Sequence, residues 1–385
     1  MKKQLIGLGV LAALGLGACG DDDDRPCNEP GHACTWLGLE GEEGFNGDGH
    51  DRRDTKLYWT MDMLFASDGT VWFHDWNNHL VRKVLPNNKV QTVVGWTDPI
   101  FPGDGGPGER EPDGALGTEV QLNHPTDFAE LSDGTILLMA WHNHKLRSID
   151  PDTGRVRIVC GAGAGYAGDG GPDSLALFKQ PKALEVDDED NIYILDQQNF
   201  RIRRIDTNGI INNLVGTGIA GFAGDGGPAV EAMLGFEAGS NPEPSGGMTV
   251  HDGTLYIADT LNQRIRAVDL TSGIIDTIAG TGEAGYTGDG GLALMATFDH
   301  PRDLEVGPDG SLYIADTDNN VIRAIDLATG VVRTVAGTGE LGLDPDDGRL
   351  ATETRLKRHF GIELDPLGNL YISDTINSRI LRVAK

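Results

Sequence analysis

"LYIADTLNQRIRAVD", Leu255–Asp269, decides the fold, because the chain writes it more than once. "LYIADTDNNVIRAID" (Leu312–Asp326), "IYILDQQNFRIRRID" (Ile192–Asp206) and "LYISDTINSRILRV" (Leu370–Val383) are close copies. "VWFHDWNNHLVRKV" (Val71–Val84) and "ILLMAWHNHKLRSID" (Ile136–Asp150) are looser ones. The recurring asparagines are Asn78, Asn143, Asn199, Asn262, Asn319 and Asn377, spaced by 65, 56, 63, 57 and 58 residues. Six units of one near-constant period mark a repeat architecture, in which each unit is one supersecondary element.

Each unit reads as four short strands, a to d. A run such as Asp303–Val306 is followed by a Pro-Asp-Gly-Ser turn, then by the alternating, β-rich "LYIAD". Strand c ("VIRAID") and a Thr-Gly turn lead to strand d ("RTVAG"), and a Gly-Asp-Gly-Gly linker crosses to the next unit. No segment has helical periodicity. The expectation is an all-β, six-bladed β-propeller of four-stranded antiparallel blades. The chain ends in "SRILRVAK", a strand c with no strand d after it. The missing strand is "TWLG" (Thr35–Gly38), so an N-terminal strand should close the last blade.

Asn78-His79-Leu80 spells the signature of the NHL repeat, and the "YIADTxNxxIR" runs and "GYxGDGG" linkers also resemble that family. The resemblance covers about residues 34–385. Two departures, Ala140 for the strand-b Asp and Leu381 for the strand-c Arg, are expected to weaken local hydrogen bonding. NHL-like propellers serve as interaction or sensor domains. Similar propellers include lactonase-like hydrolases and an amidating lyase with metals held at the axis.

The N-terminus reads as an address. A basic start (Met1-Lys2-Lys3), an apolar stretch Leu5–Ala18 and "LGAC" ending at Cys19 resemble a bacterial lipoprotein signal. This divides the chain into a signal peptide (1–18), a lipidated acidic tether (19–33) and the propeller (34–385). Lipidation at Cys19 would place the protein in the bacterial cell envelope, touching membrane through its anchor only. Cys27 and Cys34 suit a small disulfide loop in such a compartment. Cys160 reads as a small buried hydrophobe. The formal net charge of −28 excludes nucleic acid as a partner.

Antiparallel alternation puts the b–c loops and the d–a linkers on one face, the top. The Asp, Asn and Arg of every copy read as structural devices, so function should sit where copies differ. Two linkers carry insertions, Pro107–Gln121 and Glu237–Gly246. Trp76 and Trp141 are candidate exposed contact residues. On the innermost strands one aligned column reads Asp62, Asp127, Ala183, Gly247, Asp303 and Gly361. Two residues on, Glu185, Glu305 and Glu363 appear. These six carboxylates could hold Ca²⁺ at the axial channel, or pair with Lys182, Arg302 or Arg358. The histidines His74, His79, His124, His142 and His144 lack a zinc-site pattern, and no catalytic motif is present, so no metal ligand or catalytic residue is assigned. The expected function is a monomeric binding or scaffold module for an envelope protein, peptide or glycan. The alternative is a metal-dependent hydrolase or lyase.

Overall fold

A computed structural model describes residues 26–97, 113–240 and 242–385. Within them six antiparallel sheets follow one another along the chain. In blade five, strands a to d are Pro301–Val306, Ser311–Asp316, Val321–Asp326 and Val332–Ala336. The helical segments among the described residues are single 3₁₀ turns of three residues. Three blades gain an unforeseen fifth, outermost strand of two residues (Ala115–Leu116, Gly171–Pro172 and Gly227–Pro228), where the preceding linker adds to strand d.

The ring closes as the missing strand d implied. Ala33–Leu37 pairs antiparallel with Arg379–Val383, with Cys34 opposite Arg382. Six apolar clusters occupy the six blade junctions. In one, Ile202 and Val215 of blade three meet Leu255 and Ile275 of blade four. In the closing junction, Leu37 and Ile380 of blade six meet Met63, Phe73 and Val90 of blade one. A fully buried Leu or Ile contributes about 1.5–3 kcal/mol, so these junctions are the main source of cohesion. Cys27 and Cys34 are disulfide-bonded beside the closing strand. Cys160 is free and buried, and burial pushes its thiol pKa up. Cys19 and Asp104 lie outside the described residues.

The repeated polar residues tie linkers to blades. In blade five Asp316 accepts the Asp299 N–H (2.8 Å) and the Asn319 amide (2.9 Å), and pairs with Arg323 at 3.6 Å. Asn319 also donates to the Gly285 carbonyl, and Arg323 reaches linker Asp289 at 2.6 Å. Blades one, three, four and six repeat the Asp–Asn pair. The two departures are compensated, which corrects the expectation of weakened bonding. In blade two Asn143 accepts the Asn123 N–H in place of a carboxylate at Ala140. In blade six Arg379, two residues before Leu381, pairs with Asp374 at 2.9 Å and Glu40 at 2.7 Å. In the last linker Asp346 accepts the Thr35 N–H, while Asp347 pairs with Arg349.

The family-signature position joins neighbouring blades. His79, His144, Gln263 and Asn320 cap the b–c turn in the left-handed conformation. Each accepts the backbone N–H of a residue leading into the next blade's innermost strand: His124, Gln180, His300 and Arg358. Phe200 has no acceptor, and there Gln197 Oε1 receives the Ser245 N–H instead.

Deleting Cys34–Gly38 should lower Tm far more than deleting a surface loop of equal length, because it opens the ring. An unchanged Tm would rule out the closure. Reducing the Cys27–Cys34 bridge, a separation of seven residues, should cost about 2–3 kcal/mol by loop-closure entropy.

Candidate functional site

The axis is built by a bulge near the start of strand a. Pairing skips between Pro125 and Asp127, Pro181 and Ala183, and Pro301 and Asp303. The bulged residues, Thr126, Lys182 and Arg302, are buried, as bulges re-aim side chains. The carboxylates follow. Asp62 and Asp127 are hydrogen-bonded to each other. Asp127 accepts the Leu184 N–H and Asp303 the Ile362 N–H, both from the next blade. The glycines of this column are required by close approach. A Cβ on Gly361 would meet the Met61 carbonyl at 2.1 Å, and one on Gly247 the Asp303 Cα at 2.6 Å.

The structure thus brings Asp62, Asp127, Glu185, Asp303, Glu305 and Glu363 into one electrostatic cluster. Burial, reinforced by neighbouring carboxylates, raises the pKa of Asp62, Glu185 and Glu363 well above the usual range. Burial raises Glu305 to about 8 and Asp303 to about 6. The Lys182 ammonium stands 4.0 Å from Asp303 and opposes the rise at both Asp127 and Asp303. Among the described residues no three axial carboxylates bring ligand atoms within 4.8 Å of one another. The cluster as it stands is a ring of buried carboxylates with the Lys182 ammonium paired to Asp303.

One trio does meet that spacing: Asp299, His300 and Asp318, on the top face. His300 Nδ1 lies 2.8 Å from Asp299 and 3.1 Å from Asp318. These hydrogen bonds raise the imidazole pKa, Asp318 contributing most. A ring nitrogen donating its proton to carboxylates is an ion-pair partner, so the trio reads as a salt bridge.

Above the axis the top face is asymmetric. The residue after strand b is threonine in blades four to six: Thr260, Thr317 and Thr375. Thr260 and Thr317 donate to the next blade's Pro301 and His359 carbonyls, at 2.7 and 2.9 Å. In blades one to three this column reads Trp76, Trp141 and Gln197. Trp76 is 9% exposed and Trp141 1%, so neither is the exposed contact residue expected. Each begins a turn that folds inward, and they pack together with Met61 and Phe360. The partly exposed aromatic is Trp59, stacked on Trp76 with centroids 6.0 Å apart and 12° between planes.

His124 lies against Trp76 (4.1 Å) and His142 is stacked on Trp141 (4.1 Å). The two imidazoles meet at 2.9 Å through Nδ1, and His124 Nε2 lies 3.2 Å from Asn77 Oδ1. Burial, with smaller imidazole contributions, lowers His124 to about 2 and His79 to about 4, so both are neutral. The opposite side is charged. Glu243, from the Glu237–Gly246 insertion, pairs with Arg302 and Arg358, each at 2.7 Å. Sequence reasoning missed Trp59, Phe360, Glu243, His300 and Asp318. Comparing the copies column by column above the axis would have exposed the first two. Of the first insertion, 107–112 lie outside the described residues.

No protein-family model matches the chain. It is 27% identical over 291 residues to human NHL repeat-containing protein 2, covering 68% of this chain and 38% of that protein. The chain is a six-bladed β-propeller whose repeats are similar to those of NHL repeat-containing proteins. The propeller is also 26% identical over 336 residues to Protein Suppressor of Quenching 1, chloroplastic, of Arabidopsis thaliana, covering 84% of this chain and 30% of that one. It therefore spans about a third of the length of these curated relatives. Among solved structures, an auxiliary nutrient binding protein of Bacteroides ovatus superposes with a TM-score of 0.65 at 17% identity, over 92% of this chain and 76% of that one. A Bacteroides thetaiotaomicron protein of unknown function gives 0.66 at 18%, over 92% and 75%. At these identities the likeness is one of fold.

The axial ring sets a pH dependence. Glu305 holds a proton in the folded state up to about pH 8 and releases it near its ordinary 4.5 when unfolded. The folded state therefore binds more protons between those values, and stability falls as pH rises through that window. Tm should decline from pH 5 to 8, and Glu305→Gln should flatten the decline. Parallel profiles for the two proteins would refute the assignment.

Proposed function

We propose that this propeller is an envelope-anchored binding module that holds a ligand at the centre of its top face. One observation carries the reading. The threonine column that clasps neighbouring blades in blades four and five gives way to tryptophan in blades one and two, where Trp59, Trp76, Trp141 and Phe360 gather beside the axis. A structural repeat has no need to break its own pattern there, and loops on a rigid scaffold commonly carry recognition. The inserted Glu237–Gly246 segment crosses to the same place. A structural neighbour bears the name auxiliary nutrient binding protein, which agrees with a role in capture. The ligand is an envelope protein, peptide or glycan. Cys19 carries the acyl anchor, and the module works as a monomer, since a closed ring leaves no free innermost or closing sheet edge.

Tryptophan fluorescence of the full chain in detergent, titrated with cell-wall glycan fragments and envelope peptides, tests the reading. Trp59→Ala should weaken capture at least tenfold with Tm unchanged. Equal affinity in the variant for every ligand that binds would remove the aromatic side of the top face from consideration. Cys19→Ser should abolish acyl labelling and leave the protein soluble; continued labelling would refute the anchor.

The oxygen-rich axis favours a second reading, a metal-dependent hydrolase or lyase, in which Ca²⁺ enters the ring and the Lys182 ammonium gives way. Metal analysis of the purified protein decides it. Stoichiometric Ca²⁺ lost on changing Asp303 and Glu305 to Ala would support it, and a metal-free protein stable in chelator would end it.

A further inference from the structure

We propose that Arg302 and Arg358 form a carboxylate-binding site at the top-face centre, that Glu243 is its built-in occupant, and that a uronic-acid-type sugar displaces it. This rests on the top face being the ligand site.

The two arginines converge on one carboxylate. Arg358 grips Glu243 with both terminal nitrogens, at 3.0 Å to Oε1 and 2.7 Å to Oε2. Arg302 adds a third bond, 2.7 Å to Oε2. Paired, fork-shaped contacts to a carboxylate are the geometry by which arginine recognises ligand carboxylates. Both guanidiniums lie over the Phe360 ring, 4.8 Å for Arg302 and 5.7 Å for Arg358. The remaining polar contacts are Arg302 to the Pro244 carbonyl and Arg358 Nε to Asp318 at 3.3 Å.

Burial separates the site from its occupant. The Arg302 side chain is 1% exposed and that of Glu243 46%. The cation is part of the floor and the carboxylate lies on the solvent side of it. Their origins differ as well. Arg302 is the bulged residue of blade five, and Arg358 lies three residues before the innermost strand of blade six, Gly361–Leu364. Both stand in columns that every blade fills. Glu243 belongs to an insertion at one junction, and 115 residues separate it from Arg358. The rest of the insertion is held independently. Gln197 donates to the Glu237 and Glu243 carbonyls and Gln198 to that of Gly239. The Glu243 side chain can therefore leave the arginines while its backbone stays.

Phe360 links the arginines to the aromatic side, because it also packs with Met61, Trp76 and Trp141. A ligand that places a carboxylate on the arginines has an aromatic surface, ending in the partly exposed Trp59, beside it. A pyranose ring bearing a carboxylate meets both demands: one face of C–H groups for the aromatic rings and one anion for the fork.

The test uses the full chain in detergent with galacturonate, galactose and N-acetylphenylalanine as probes, read by calorimetry. Glu243→Gln removes the competing anion and should tighten galacturonate about tenfold or more, the scale of one charge-assisted hydrogen bond, without changing galactose. Adding Arg358→Gln should abolish the gain. Glu243→Asp, which keeps the charge on a shorter arm, should fall between. An E243Q protein that gains nothing for galacturonate overturns the proposal, whether its Tm holds or drops. A gain for N-acetylphenylalanine alone overturns the sugar assignment. Failure of the broader reading is separable: Trp59→Ala would leave every affinity unchanged while E243Q still gained.

Discussion

Five of the six blades depend on one buried carboxylate each, the aspartate ending strand b: Asp75, Asp196, Asp259, Asp316 and Asp374, none with measurable exposure. Moving a carboxylate out of water costs several kcal/mol unless its lone pairs are filled. Here they are filled from three directions: a linker N–H, the Asn three residues on, and an arginine from strand c. The arrangement fixes where the linker runs. The linker in turn fixes the residue that donates to the neighbouring blade's signature side chain, and through it the bulge that faces the axis. Where one member changes, others change with it. Blade two loses the carboxylate and turns an Asn carbonyl to the linker; blade six moves its arginine by two residues and keeps the pair.

That redundancy explains why variation could gather above the axis. With linkers held by buried polar staples and junctions by apolar clusters, the column after strand b is free of an essential duty. Losing a threonine clasp forfeits about 1 kcal/mol of hydrogen bonding. Burying an indole recovers more, since an aromatic side chain removes about 150–250 Å² from water. Blades one and two could therefore exchange Thr for Trp without loss of cohesion, and the exchange makes the top face asymmetric. The axial ring is the opposite case. Asp127 and Asp303 are held by backbone bonds to the next blade, and Asp62 and Asp303 lie against glycines of the same column, so these three are fixed in place.

The ring, the blade count and the closing strand were legible because each rests on period and alternation, which survive in a single sequence. The axial carboxylates were legible for the same reason: alternate residues of a strand share a side. Exposure of Trp76 and Trp141 was misjudged because loop position was taken for surface position, whereas each opens a turn that folds toward the axis. Trp59 and Phe360 stand in columns that the other copies fill with unlike residues, so no repeated residue marks them, whereas Glu243 lies in an insertion that has no common column. For Glu243 no local signal existed, since its partners lie 59 and 115 residues away. Ala140 and Leu381 look like losses in one column and are repaired from another, which only three dimensions can display.

The net charge bears on how such a site can work. With 59 acids against 31 bases, the protein repels anions at long range, and low salt strengthens that repulsion. Screening confines it to about 8 Å at physiological ionic strength. At contact, the field comes from Arg302, buried over Phe360, and from the partly exposed Arg358 beside it. Encounter is therefore opposed and contact favoured, so added salt should speed the approach of an anionic ligand while doing less to its residence on the buried guanidinium. Most ion-pair binding weakens throughout as salt rises. A faster on-rate in higher salt would identify a site whose attraction is local, set within a surface that discourages anions everywhere else.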